Sequence, residues 1–131
     1  MKWNGEVAVD ADQALFSFTV KNESNQSITL EFPTSQSYDY SVYNAAGRQV
    51  YRFGEGKMFL QALQSTTLNS REQFQLKSTW NYNSNEAGKV HAGVYSVIAI
   101  LTIRKINGEL VHSKPSTLFT FYLPPIKTPF E

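Results

Sequence analysis

The sequence contains no cysteine among its 131 residues. Disulfide bonds, thiolate metal sites and a thiol nucleophile are therefore excluded. Small secreted domains often depend on disulfides, so their absence favours a reducing compartment. A chain of this length suits one domain and can bury a hydrophobic core without cross-links. We predict a single domain over residues 1–131, with a core at roughly 5–123 and a C-terminal arm at 124–131.

Long hydrophobic runs are also missing. The longest apolar stretch covers only residues 97–101, whereas a helix that spans a membrane needs about 20 residues. Residues 1–6 contain one basic residue with no apolar run behind it, which is not the pattern of a signal peptide. We therefore expect a cytoplasmic protein without a membrane partner.

Neither sign of charge dominates, since 12 basic residues balance 11 acidic ones. Lysine and arginine form no cluster along any segment of the chain. Nucleic-acid binding requires a concentrated basic surface, so a nucleic acid is not an expected partner.

Motifs of catalysis and of metal binding are scarce. The only histidines, His91 and His112, have no acidic residues at ligand spacing, so no metal site is expected. Asp10 and Asp12 lack the downstream glycine and glutamate of a calcium loop. The sequence has no Gly-x-Ser-x-Gly motif, and no helical pattern follows its only Gly-x-Gly, at residues 54–56. We predict a protein that is not an enzyme, with no catalytic residue, no cofactor and no small-molecule substrate.

Alternation of apolar and polar residues runs through most of the chain, as in half-buried strands. It is clearest at residues 14–21 and 74–80, and no window of eleven residues shows a helical period. Turn residues separate these segments: residues 44–47 close a hairpin over 38–53, and Asn107 with Gly108 is a tight-turn signal. The pattern predicts an all-β fold, an immunoglobulin-like antiparallel β-sandwich of seven to nine strands.

The same alternation predicts the core. One long strand carries Tyr95 and Val97 on one face and Val94, Ile98 and Ile100 on the other, so we expect a central strand covered on both sides. Trp80 shares its face with other apolar residues and is expected to be buried. The predicted core consists of Phe16, Phe18, Val20, Leu30, Tyr40, Val42, Leu76, Val97, Ala99 and Leu101.

Several segments together resemble the bacterial intracellular proteinase inhibitor family, known as BsuPI. The resemblance covers roughly residues 14–121 and lies in the stretches 32–40, 42–44, 50–53, 56–59, 74–80 and 92–95. Family members often have a tryptophan near Tyr51 or Phe53, and a Pro-Gly turn where this chain has residues 69–72. The resemblance implies a β-sandwich that acts in the cytoplasm as an inhibitor of an intracellular subtilisin-like serine proteinase.

The resemblance supplies no reactive-site residue, so the candidate site comes from the sequence itself. A proteinase cleft binds an extended peptide as an added strand, with pockets for alternate side chains. Residues 54–63 place large apolar side chains between glycines and polar residues, and the candidate proteinase-binding residues are Gly56, Lys57, Met58, Phe59 and Leu60. The alternative is that Phe59 and Leu63 fill the core, since large apolar residues are usually buried.

Two other functions remain open. A sandwich of this kind can be a protein–protein interaction module unrelated to proteolysis. Carbohydrate binding through aromatic residues is disfavoured, because the candidates lie in the buried register of their strands; they are Tyr38, Tyr40, Tyr51 and Trp80.

The order of the strands also predicts which connections lie together. In a simple sandwich, residues 34–37, 54–70 and 105–114 share one end. Residues 22–26, 44–47 and 81–92 then share the opposite end.

Overall fold

The computed structural model describes residues 1–86 and 88–125, and within these ranges every regular element is a β-strand. Neither range contains a helix able to cross a membrane. Eleven strands follow one another along the chain: β1 (Lys2–Val9), β2 (Ala14–Lys21), β3 (Ile28–Phe32), β4 (Tyr38–Tyr43), β5 (Gln49–Arg52), β6 (Gln64–Leu68), β7 (Gln73–Trp80), β8 (Gly93–Leu101), β9 (Lys105–Ile106), β10 (Glu109–Leu110) and β11 (Ser116–Leu123).

Two antiparallel sheets form the sandwich, one in the order β1-β2-β7 and the other in the order β11-β8-β4-β5. Their inner faces meet in aromatic contacts, and the Phe16 ring lies 4.9 Å from the Tyr40 ring and 6.0 Å from the Phe121 ring. Every predicted core residue is buried except Leu76, which is half-buried. Trp80 is 2% exposed, as its position in the alternation predicts.

A third antiparallel sheet has the order β10-β9-β3-β6. It is built from connections of the sandwich strands. β3 lies between β2 and β4, and β6 between β5 and β7, so both cross from one sandwich sheet to the other; the β9–β10 hairpin lies between β8 and β11 of a single sheet. The total is therefore eleven strands and not seven to nine, because β6, β9 and β10 are short and carry no clear apolar alternation. The all-β antiparallel sandwich is confirmed, and the immunoglobulin-like assignment stays a prediction.

Strand β1 was not expected from the sequence. Its Trp3 is buried, and the indole nitrogen donates a hydrogen bond of 3.1 Å to the Ala99 carbonyl of the opposite sheet. Gly5 allows β1 to lie close to β11 of the opposite sheet, because a Cβ atom at Gly5 would be 2.5 Å from the Phe119 ring. The packed part of the protein therefore includes residues before position 5.

The outer face of β8 differs from the prediction. The strand is central, between β11 and β4, and its inner side chains are buried. However, Val94 is 54% exposed and Ile98 is 41% exposed, and no described residue covers them. The expectation of a strand covered on both sides is wrong, because these apolar side chains of the outer face are exposed.

The predicted grouping of connections holds except at residues 22–26. The Asn22 amide donates to the Glu72 carbonyl over 2.9 Å, and its buried side chain donates to the carbonyls of Leu68 and Asn69. This turn therefore lies beside residues 69–72, at the end of the third sheet. The prediction is wrong here because β3 leaves the sandwich after the turn and does not pair with β2.

Proline ends two strands as the sequence predicts. Pro33 follows β3, and Pro124 and Pro125 follow β11. Of the predicted C-terminal arm, residues 126–131 lie outside the described residues.

Candidate functional site

The candidate site is the connection from β5 in the sandwich to β6 in the third sheet. We call residues 54–63 the 54–63 loop. At its first residue, the Gly54 amide donates a hydrogen bond of 2.9 Å to Asp39 Oδ1. The other carboxylate oxygen of Asp39 lies 3.3 Å from Arg52 Nη1, in an ion pair between β4 and β5. Asp39 therefore holds the start of the loop against the edge of the sandwich.

The chain at the start of the loop approaches two polar side chains closely. A Cβ atom on Gly54 would lie 2.8 Å from the side-chain nitrogen of Gln36 and 3.0 Å from Asp39 Oδ2. Gly56 follows with φ of +74°, a conformation that other residues rarely adopt. These two glycines turn the chain sharply after β5.

Ser35 holds the other side of the loop by two hydrogen bonds to one residue. The Leu60 amide donates to Ser35 Oγ over 2.8 Å. The Leu60 carbonyl accepts from the Ser35 amide over 3.0 Å. Because both bonds use the Leu60 backbone, its side chain remains free, and residues 57–59 are presented between two fixed points.

Stacked aromatic rings lie beneath the start of the loop. The Phe53 ring lies 4.9 Å from that of Tyr38 and 5.2 Å from that of Tyr40, nearly parallel to both. The Lys57 ammonium lies 4.5 Å from the centre of the Phe53 ring, in the geometry of a cation–π contact. Burial raises the pKa of the Tyr38 and Tyr40 phenols above the ordinary tyrosine value, so both rings are neutral near pH 7.

The apolar side chains of the loop point into solvent. Met58 is 98% exposed, Leu60 is 65% exposed and Leu63 is 58% exposed. Phe59 is half-buried but is not part of the hydrophobic core cluster. The interpretation that Phe59 and Leu63 fill the core is therefore wrong. Of the five candidate residues, Phe59 is half-buried and the other four are exposed.

A concave region lies beside the β5 edge of the sandwich, and Glu55 of the 54–63 loop is among the residues that line it. It is a cavity of about 300 Å³ between the β4–β5 hairpin and residues 81–92, of which residue 87 is not described. Both acidic and basic side chains line it, including Arg48, Glu86, Lys89 and His91. In the described part of the chain, no three or more histidine, aspartate or glutamate side chains lie close enough to hold a metal ion.

The residues that hold the loop were not found from the sequence. Asp39 lies between two tyrosines of β4, and Ser35 lies in a short polar connection. Neither position carries a signal that links it to Gly54 or Leu60, because the contacts depend on the pairing of β4 with β5 and on the third sheet. The glycines were the one local signal, and they do mark the loop.

Solved structures with a similar chain path have low sequence identity to this protein. One is the Pseudomonas fluorescens alkylpurine DNA glycosylase AlkC bound to DNA containing an abasic site analog, with a TM-score of 0.41 and 14% identity over 87% of this chain. This chain spans 26% of the glycosylase chain. Another is a protein from Archaeoglobus fulgidus, with a TM-score of 0.42 and 14% identity over 93% of this chain and 92% of the other. No curated protein matches this chain.

The protein is an antiparallel β-sandwich that presents an exposed apolar loop held by backbone hydrogen bonds. A model of the BsuPI family, described as intracellular proteinase inhibitor, matches residues 1–106. This match covers most of the chain and includes the whole 54–63 loop. The chain belongs to the BsuPI family of intracellular proteinase inhibitors.

Proposed function

We propose that this protein inhibits a subtilisin-like serine proteinase of the cytoplasm by placing the 54–63 loop in the active-site cleft. The observation that carries the proposal is Met58, which is 98% exposed between two points fixed by Asp39 and Ser35. Exposing such a side chain brings no gain to folding, since burial of apolar surface is what stabilises the fold. A partner with an apolar pocket would bury it.

Phe59 is the one residue of 55–63 that is half-buried and not exposed. Met58 and Leu60 are exposed, whereas Phe59 between them is half-buried. In an extended segment alternate side chains share a direction, so Met58 and Leu60 can enter pockets on one side of a cleft. A large apolar side chain such as Met58 suits the pocket that selects the cleavage position in subtilisin-like enzymes.

The fixed ends of the loop favour inhibition over simple binding. A peptide loses conformational freedom when it binds a cleft, and this loss weakens binding. Here the hydrogen bonds to Asp39 and Ser35 already restrict the chain in the free protein. The mechanism is occlusion of the cleft, for which the inhibitor needs no catalytic residue of its own.

Substitution of the exposed apolar residues tests the proposal. Met58→Asp combined with Leu60→Asp should weaken inhibition of a purified intracellular subtilisin more than tenfold, or about 1.4 kcal/mol. The melting temperature should hardly change, because both side chains are exposed. Gel filtration of the mixture should show a complex with the unmodified protein only.

Leu110→Asp is the matched control, because Leu110 is similarly exposed, at 60%, but lies in β10, outside the loop. It should inhibit like the unmodified protein. If the double variant is folded and inhibits normally, the 54–63 loop is not the binding surface. If the unmodified protein inhibits no intracellular subtilisin at micromolar concentration, a protein-interaction module unrelated to proteolysis becomes the better description.

A further inference from the structure

Met58 carries the more accessible of the two sulfur atoms in the chain. The sequence has two methionines and no cysteine, so no thiol competes with the thioethers of Met1 and Met58 for an oxidant. Met58 is 98% exposed, whereas Met1 is 41% exposed. A side chain exposed to that degree touches almost nothing, so no described residue shields the Met58 sulfur from a small solute. Met58 is therefore the first point of attack for an oxidant.

The reaction of a methionine with a peroxide transfers one oxygen atom. A lone pair of the thioether sulfur attacks one oxygen of hydrogen peroxide, an S–O bond forms and the O–O bond breaks. A proton passes from the transferred oxygen to the departing hydroxide, which leaves as water. The sulfur is oxidised by two electrons and the peroxide is reduced by two. The product, methionine sulfoxide, is polar and chiral, whereas the thioether is flexible and apolar.

We propose that Met58 is an oxidation site at which a peroxide switches the inhibitor off. The switch rests on the proposed function, in which an apolar pocket of the proteinase accepts the Met58 side chain. The sulfoxide oxygen accepts hydrogen bonds from water, and an apolar pocket offers no donor in exchange, so binding the oxidised side chain is costly. Oxidation therefore releases the proteinase. Methionine sulfoxide reductases return the sulfoxide to the thioether and so restore inhibition.

The anchoring of the 54–63 loop confines the effect of oxidation to one side chain. The loop is held by the bond from the Gly54 amide to Asp39 and by the two bonds between the Leu60 backbone and Ser35. None of these bonds involves the Met58 side chain, so a sulfoxide there leaves the backbone of the loop in place. Because Met58 is exposed in the folded protein, its oxidation should not change the free energy of unfolding.

Peroxide treatment of the purified protein tests the switch, and Met1 serves as an internal reference. Peptide mass mapping should show that the sulfoxide forms faster at Met58 than at Met1. As Met58 becomes oxidised, the inhibition constant for a purified intracellular subtilisin should rise by roughly tenfold or more, while the melting temperature stays constant. Treatment with the two methionine sulfoxide reductases, one for each sulfoxide epimer, should then restore the original inhibition constant.

Two substitutions of Met58 separate the sulfoxide from other effects of peroxide. Met58→Leu keeps a large apolar side chain without sulfur, so its inhibition constant should be the same before and after peroxide. Met58→Gln has a polar side chain of similar length, so it should inhibit as weakly as the oxidised protein without any peroxide. If peroxide weakens inhibition by Met58→Leu, the site of action is another residue and the proposal is overturned. Strong inhibition by Met58→Gln would overturn it as well.

Failure of the switch and failure of the proposed function give different results. If the unmodified protein inhibits and continues to inhibit after complete oxidation of Met58, the protein is an inhibitor but Met58 is not a switch. If the unmodified protein inhibits no intracellular subtilisin, both proposals are overturned, since there is no inhibition for oxidation to remove.

Discussion

The two long connections of this protein, the 54–63 loop and residues 81–92, are held in opposite ways. In the second, side chains point inward: Tyr82 is 1% exposed, and its hydroxyl donates to the Asp10 carbonyl over 2.6 Å. The preceding Trp80 donates to the Asn83 carbonyl over 2.8 Å. In the 54–63 loop the backbone is held and the apolar side chains are free. Anchoring by side chains stabilises the fold, whereas anchoring by the backbone leaves side chains for a partner.

Backbone conformation supports the same contrast. Tyr82 has φ of +67°, a conformation that costs a residue other than glycine about 1–3 kcal/mol. Burial of its ring against Trp80, with ring centres 5.5 Å apart, offsets that cost. The 54–63 loop instead uses Gly56 where φ is positive, so its conformation does not depend on any buried side chain.

Alkaline pH should have the largest effect on the free energy of unfolding, because tyrosines near both connections titrate there. Burial raises the pKa of five phenols above the ordinary tyrosine value; they are Tyr38, Tyr40, Tyr51, Tyr82 and Tyr95. In the unfolded chain tyrosine titrates near pH 10, so the unfolded state loses these protons first. Their contribution to stability is therefore complete below about pH 10 and is lost as the pH rises toward the folded pKa values.

Urea unfolding at a series of pH values checks this expectation. The free energy of unfolding should be flat up to about pH 9 and then fall. Tyr40→Phe should reduce the slope of that fall. A free energy that does not change between pH 9 and 11 would contradict the assignment of buried neutral phenols.

Truncation of Trp80 should have the next largest effect on stability. It should also distinguish the role of residues 81–92 from that of the 54–63 loop. Trp80→Ala should lower the free energy of unfolding by about 3–5 kcal/mol, the usual range for a buried aromatic residue. At temperatures where the variant is folded, its inhibition constant should equal that of the unmodified protein. If it does not fold, Tyr82→Phe removes one buried hydrogen bond and should cost about 1 kcal/mol. Weaker inhibition by a stable Tyr82→Phe variant would assign a binding role to residues 81–92.

Ser35→Ala should weaken inhibition while it leaves stability nearly unchanged, which is the converse of the effect of Trp80→Ala. It removes the hydroxyl that accepts from the Leu60 amide, while water can replace this bond at an exposed site. Stability should fall by less than about 1 kcal/mol, and inhibition should weaken several-fold because the loop is less restricted. Ser35→Thr keeps a hydroxyl and should retain more activity. An unchanged inhibition constant for Ser35→Ala would show that this bond does not position the loop.

Lys57→Met should have the smallest effect on inhibition among these variants. It keeps the length of the side chain but removes the charge above the Phe53 ring, a contact worth about 0.5–1 kcal/mol. Inhibition should weaken about twofold to fivefold, the range that this energy implies. Lys57→Arg should be indistinguishable from the unmodified protein. A loss larger than tenfold in Lys57→Met would instead indicate a direct ion pair with the proteinase.

The sequence predicts the sandwich and its core well, because the period of two reports directly which side chains face inward. It does not predict the third sheet, since β6, β9 and β10 are too short and too polar to show a period. It also misses Asn22, whose buried side chain bonds to the carbonyls of Leu68 and Asn69, 46 and 47 residues further along the chain. The glycines identify the 54–63 loop, but its anchors depend on pairings between distant segments, which local patterns do not contain.

The two anchors of the 54–63 loop have a consequence for a proteinase that cuts the loop. Asp39 and Ser35 hold the chain at Gly54 and Leu60, on either side of the bond between Met58 and Phe59. After cleavage, the new amino group would remain beside the acyl-enzyme instead of diffusing away. A reacting group held in place has a far higher effective concentration than one free in solution, so rejoining of the bond competes with hydrolysis. We therefore expect intact and nicked protein to interconvert on the enzyme, and the inhibitor to be consumed only slowly.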